Sequence, residues 1–150
     1  MNTFERILAD IDNAYLDTNI LVYHLEDSLP YSDLTQIIFE LMIGTKIKGH
    51  TSVLGIMELN VGHYKKKQSE KAWAQTEILS QLPGFMIHPF DLVTADRAAL
   101  LRAEYNFKSP DAIHAATALE SRCDTFIGND KIFSRLPKIR YIHLNDFIKK

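Results

Sequence analysis

The sequence predicts a three-layer α/β domain on a central, mostly parallel sheet. Short apolar stretches alternate with segments of helical periodicity along the chain, which implies parallel pairing with right-handed crossovers. The size and make-up agree: 150 residues, 46% hydrophobic and 24% charged, suit one core. No internal repeat and no linker interrupts residues 1–150, so a single domain is expected.

The opening residues carry acids at Glu5, Asp10 and Asp12, and the first element read is at Asn13. They also lack a basic segment leading into an apolar run, which argues against a secretory signal. Asn13 to Leu16 reads as a short strand stopping at Asp17, with Thr18 and Asn19 as capping candidates for a helix through Ile20, Leu21, Tyr23 and His24. After Pro30, Ser32 and Asp33 open a second helix with apolar residues at Leu34, Ile37, Ile38, Leu41 and Met42, stopping near Gly44.

Lys46 to Ser52 is a second strand candidate, and Leu54 to Lys65 a helix with apolar positions at Leu54, Met57, Val61 and Tyr64. Ser69 to Leu82 gives another helix ended by Pro83-Gly84, and Phe85 to Phe90 a third strand. Two helices follow, Asp91 to Tyr105 and Pro110 to Cys123, the latter with Ser109 as N-cap and Pro110 first in the helix. Thr125 to Gly128 is a strand ending at Asn129-Asp130. Beyond it lie a short helix near Lys131 to Leu136, a strand at Arg140 to Leu144 and a brief helical tail.

The totals exclude several functional classes. The apolar stretch Ile37–Ile43 is broken by Glu40 and falls far short of the roughly 18 residues of a membrane span. One cysteine, Cys123, leaves no internal disulfide and agrees with a reducing compartment, so a cytoplasmic location is expected. Gly44 to Thr51 nearly fits a phosphate-binding loop, but His50 stands where lysine is required and a helix precedes it, which argues against nucleotide hydrolysis. A net charge of -2 supplies no global field for a polyanion, so nucleic-acid binding would need local patches and cations.

Four acids point to such a cation site. In an open parallel sheet the functional crevice lies at the carboxyl ends of the strands, where Asp17 and Asp130 fall. Asp111 sits in the first turn of its helix, and Glu58 interrupts an otherwise apolar helical face, where an acid needs a partner. Phosphodiester hydrolysis is well served by two hard cations held by carboxylates. Taken singly, Asp17 and Asp130 are equally readable as caps, Asp111 as a dipole-favoured residue and Glu58 as half of an ion pair.

The chain resembles the PIN-domain nucleases, especially the VapC-like toxins of toxin–antitoxin pairs. The resemblance lies in Leu16-Asp17-Thr18-Asn19-Ile20-Leu21, Thr51 to Leu59 around Glu58, Pro110-Asp111-Ala112-Ile113-His114-Ala115-Ala116-Thr117-Ala118 and Phe126 to Phe133 around Asp130. It implies a PIN-like fold and a magnesium- or manganese-dependent endoribonuclease whose acidic quartet is Asp17, Glu58, Asp111 and Asp130, holding two ions. Thr18, Asn19 and Asn129 would support the ions from behind. Gly128 departs from the pattern, since relatives often carry Thr or Ser there.

Further expectations concern partners. Lys131 and Arg135 are read as contacts to RNA because they follow the last acid directly, whereas the Lys65-Lys66-Lys67 run reads equally well as a solvated helix end. His114 is a packed helical histidine in one reading and a substrate contact in the other. Cys123 is taken as a buried structural thiol. The resemblance implies a small antitoxin and a homodimer pairing helical faces. A PIN nuclease of RNA maturation or decay, and a catalytically silent PIN-like module binding RNA or protein, are the rival readings.

Overall fold

The computed structural model describes residues 1–149. Five parallel strands, β1 (Asn13–Leu16), β2 (Lys48–Ser52), β3 (Phe85–His88), β4 (Thr125–Gly128) and β5 (Arg140–His143), form one sheet in the order β3-β2-β1-β4-β5. The chain builds outward from β1 to β3, then crosses back to lay β4 on the other side of β1. That reversal opens a crevice at the carboxyl ends of β1 and β4, the topological switch point of such sheets.

Seven α-helices accompany the strands: α1 (Thr3–Leu8), α2 (Thr18–Leu25), α3 (Ser32–Ile43), α4 (Val53–Lys65), α5 (Ser69–Gln81), α6 (Leu92–Tyr105) and α7 (Ser109–Glu120). Two single-turn 3-10 segments, Lys131–Arg135 and Leu144–Phe147, replace the short helices expected near the end. Alternate residues of β1 feed the two faces of the sheet. Ala14 and Leu16 join a core with Leu8, Ile20, Leu21, Ile38 and Met42, and Tyr15 joins the opposite core with Phe107, Ala115, Phe126 and Phe133. Both faces are thus covered, as an all-parallel sheet requires.

Three differences from the sequence reading have local causes. Helix α1 is an addition to it, although its signal is present: the Asn2 side chain accepts from the Glu5 amide and the Glu5 carboxylate accepts from the Asn2 amide, a reciprocal cap. At α7 the cap position is Lys108, extended and without a side-chain bond, so Ser109 is the first helical residue and Pro110 follows it. On α4 the buried positions are Gly55, Leu59 and His63, while Val53, Met57, Val61 and Tyr64 are exposed. Of the apolar positions read on α4, Met57, Val61 and Tyr64 therefore face outward and Leu54 is half-buried.

Candidate functional site

Asp17 ends β1 and is the N-cap of α2: Thr18 and Asn19 lie inside the helix, and Oδ1 of Asp17 accepts the Thr18 amide at 2.9 Å. Its backbone amide is held by the carbonyl of Ile127 on β4, so the carboxylate stands at the switch-point crevice. The side chain is 13% exposed. Gly128 backs it directly, since a β-carbon there would lie 3.3 Å from the Asp17 β-carbon.

Glu58 comes from the next helix over. Both of its hydrogen bonds fall on Oε1, one from the Thr18 hydroxyl at 2.9 Å and one from Nε2 of His114 at 2.5 Å. The same imidazole nitrogen lies 3.7 Å from Oδ1 of Asp17. His114 is buried, so the structure gives it a place beneath the acids and not on the surface a substrate would touch. The partner that a lone acid on this helix requires is thus a histidine and a threonine.

Charge coupling ties the remaining acids to these two. Burial, then the charges of Glu58 and Asp111, push the Asp17 carboxyl above its ordinary value, against the pull of His114 and the Thr18 amide. Burial, then Asp130, push Asp111 up as well. Glu58 is held low, chiefly by the hydrogen bond from His114. Asp130 is exposed at the rim, where Oδ1 caps the following 3-10 turn by accepting the Ile132 amide at 3.1 Å. The quartet runs from a buried floor at Asp17 to an open edge at Asp130.

A profile for the PIN domain matches residues 14–139. The chain belongs to the PIN-domain family. Solved structures of similar fold include VapBC2 from Rickettsia felis bound to a promoter DNA fragment, with a TM-score of 0.71 and 22% identity over 87% of this chain and 98% of that one. A toxin–antitoxin complex from Klebsiella pneumoniae gives 0.63 and 26% over 87% and 97%. FitAcB from Neisseria gonorrhoeae gives 0.67 and 22% over the same shares, 87% and 97%. Comparison with curated proteins gave no match.

The donor set of this PIN domain is all oxygen, which suits a hard divalent cation. As the side chains stand, no three His, Cys, Asp or Glu groups among the described residues gather closely enough to share one ion. Two features fit a cation nonetheless. The carboxyls of Asp17 and Asp111 are raised first by burial and then by neighbouring acids, and a dication would favour their charged forms; Oδ1 of Asn19 is buried with no hydrogen-bond partner among the described residues.

Other sequence candidates fare differently. Thr18 joins the site through Glu58, whereas Asn129 is spent on structure, donating to the Tyr23 hydroxyl at 3.2 Å and accepting the Asn145 amide at 2.7 Å. Lys131 and Arg135 are exposed on the turn after Asp130, and the Arg135 guanidinium lies 5.5 Å from the centre of the Phe107 ring. Cys123 is buried and its thiol is pushed up to about 12 by burial, as befits a structural residue. None of the described helices is long and apolar enough to cross a membrane.

Sequence reasoning missed Tyr15, Gly55 and Lys108. The Tyr15 hydroxyl lies 2.6 Å from Nδ1 of His114. A β-carbon at Gly55 would stand 2.8 Å from the Thr51 hydroxyl and 3.7 Å from the His114 ring. Lys108 pulls the Asp111 carboxyl back toward its ordinary value. A glycine one turn before Glu58 was the available signal for close approach, while a tyrosine in a strand carries none.

Proposed function

We propose that this chain is a divalent-metal-dependent endoribonuclease, the toxin of a toxin–antitoxin pair. The observation that carries the reading is geometric: at the switch-point crevice of a PIN fold, Nε2 of His114 lies 2.5 Å from Oε1 of Glu58 and 3.7 Å from Oδ1 of Asp17, while burial and neighbouring acids raise the carboxyls of Asp17 and Asp111. In this reading Asp17, Glu58 and Asp111 hold magnesium or manganese, two ions in all, with Asp130 completing the site directly or through water. The ions, when bound, supply positive charge at the phosphodiester and lower the pKa of a water to the neutral range.

The chain's own residues do the positioning. Asp17 is anchored by the Thr18 amide, and Glu58 by Thr18 and His114, so neither carboxylate has to be ordered when a cation arrives. Asp130 stands at the exposed rim beside Lys131 and Arg135, whose positive charges would offset its own toward a phosphate backbone.

The exposed apolar stripe on α4 supports a protein partner as well. Val53, Leu54, Met57, Phe90 and Ile113 line a shallow cavity of about 250 Å3, and Leu92 and Val93 at the start of α6 are exposed. Such a face fits a homodimer, and the toxin–antitoxin neighbours suggest an antitoxin on a further surface.

The test is RNA cleavage by the purified chain with magnesium or manganese, against Asp17→Asn. Asparagine preserves the cap of α2 and removes the charge. Metal-dependent cleavage lost in the variant, with the far-ultraviolet dichroism unchanged, supports the reading; equal cleavage by both proteins, or none by either, overturns it. Growth arrest on expression that a co-expressed neighbouring gene relieves separates a toxin from a nuclease of RNA maturation.

A further inference from the structure

A chain of hydrogen bonds begins in the sheet and ends at Glu58. Tyr15, fully buried on β1, faces the α7 side, and its hydroxyl lies 2.6 Å from Nδ1 of His114. Nε2 of His114 lies 2.5 Å from Oε1 of Glu58. For a neutral imidazole the donor inventory sets the direction of these bonds. A phenol carries its proton at neutral pH and a carboxylate only accepts, so Tyr15 donates to a bare Nδ1 and the imidazole proton sits on Nε2, donating to Glu58.

The Thr18 hydroxyl donates to the same oxygen at 2.9 Å. Two donors on Oε1 fix the rotation of the carboxylate about its last bond, and Oε2 takes no part in either bond. Gly55 sits against this group: a β-carbon there would press on the Thr51 hydroxyl at 2.8 Å and lie in ordinary contact with Thr18 at 3.5 Å and the His114 ring at 3.7 Å.

We propose that Tyr15 and His114 are positioning residues for Glu58: the phenol locks the imidazole in its Nε2–H tautomer, and the imidazole aims the carboxylate so that Oε2 meets the cation. This rests on the reading of the quartet as a cation site. Neither residue touches RNA or metal. Outer partners of this kind set ligand orientation, and their loss typically costs about 10- to 100-fold in metal affinity.

The test uses the full chain and Mn2+ alone. Free Mn2+ is followed by electron paramagnetic resonance for the wild type, Tyr15→Phe, His114→Ala, His114→Gln and Asp111→Asn, and the tautomer of His114 is read in metal-free protein by long-range proton–nitrogen spectra. The expected result is a Kd raised about tenfold in Tyr15→Phe and more in His114→Ala. His114→Gln, whose amide still offers a donor to Glu58, recovers most of the loss. Saturating Mn2+ restores activity to Tyr15→Phe, which a damaged fold would not allow.

The wild-type spectrum shows the Nε2–H form, and Tyr15→Phe a mixture. If Tyr15→Phe and His114→Ala bind Mn2+ like the wild type while Asp111→Asn does not, the positioning role is overturned and the cation site stands. A wild type that binds no Mn2+ overturns the cation site and the positioning role with it. A wild-type His114 in the Nδ1–H form overturns the tautomer lock whatever the metal does.

Discussion

At the scale of single residues, the site stores electrostatic strain. An acid whose pKa is raised in the folded chain destabilises that chain once ionised; the cost is complete above the folded pKa and vanishes below the ordinary carboxylate value. Asp17 is raised by burial and by Glu58 and Asp111. Metal-free Asp17→Asn should therefore melt higher than the wild type at pH 7, and the gap should close on acidification. Differential scanning calorimetry in chelator at pH 7 and pH 4 checks both.

His50 gives the opposite sign. It bonds to His88 at 2.8 Å and to Asn13 at 2.9 Å, and burial, then the charges of His88 and Lys48, lower its pKa from 6.5 to about 4. The unfolded chain takes up this proton first as the pH falls, so the stability His50 contributes is present above pH 6.5 and is lost between about 6.5 and about 4. Urea midpoints across that window should fall for the wild type and fall less for His50→Gln.

At the scale of elements, α4 is the delicate piece. It carries Glu58 inward and an apolar stripe outward, and it reaches the sheet only because Gly55 has no side chain. Gly55→Ala should destabilise the fold by about 1–3 kcal/mol, since a methyl 2.8 Å from Thr51 forces the helix off β2. Gly62, on the same helix, should do the reverse, because a β-carbon there would meet nothing within 4 Å. At that position alanine gains about 0.5–1 kcal/mol of helix propensity. Chemical denaturation of the two variants separates packing from propensity, and equal signs would show that the close approach at Gly55 is not rigid.

At the scale of the whole molecule, charge relief and surface coverage dominate. Saturating magnesium or manganese should raise the melting temperature of the wild type, because binding to the folded state alone stabilises it by mass action; an unchanged midpoint would count against the shared site. Met57→Glu combined with Leu92→Glu should leave folding intact, since both side chains are exposed. If the proposed homodimer uses this face, light scattering gives a dimer mass for the wild type and half of it for the variant; a wild type of monomer mass, or an unchanged dimer mass in the variant, overturns that reading.

The sequence by itself determined the class of fold and singled out the four acids as candidates. Period-2 and period-3.6 patterns depend on neighbours a few residues apart, and the strand ends at Asp17 and Asp130 follow from them. What the alternation left open was strand order, and with it the crevice between β1 and β4 where these two acids stand. Equally, apolar residues at helical spacing on α4 mark a stripe but not its direction, and only packing turned Gly55 and Leu59 inward and Met57 outward. The union of Tyr15, His114 and Glu58 joins residues 99 and 56 positions apart. Such contacts are decided by the close packing of a finished core, where a missing β-carbon or a buried hydroxyl acts only once the chain has closed around it.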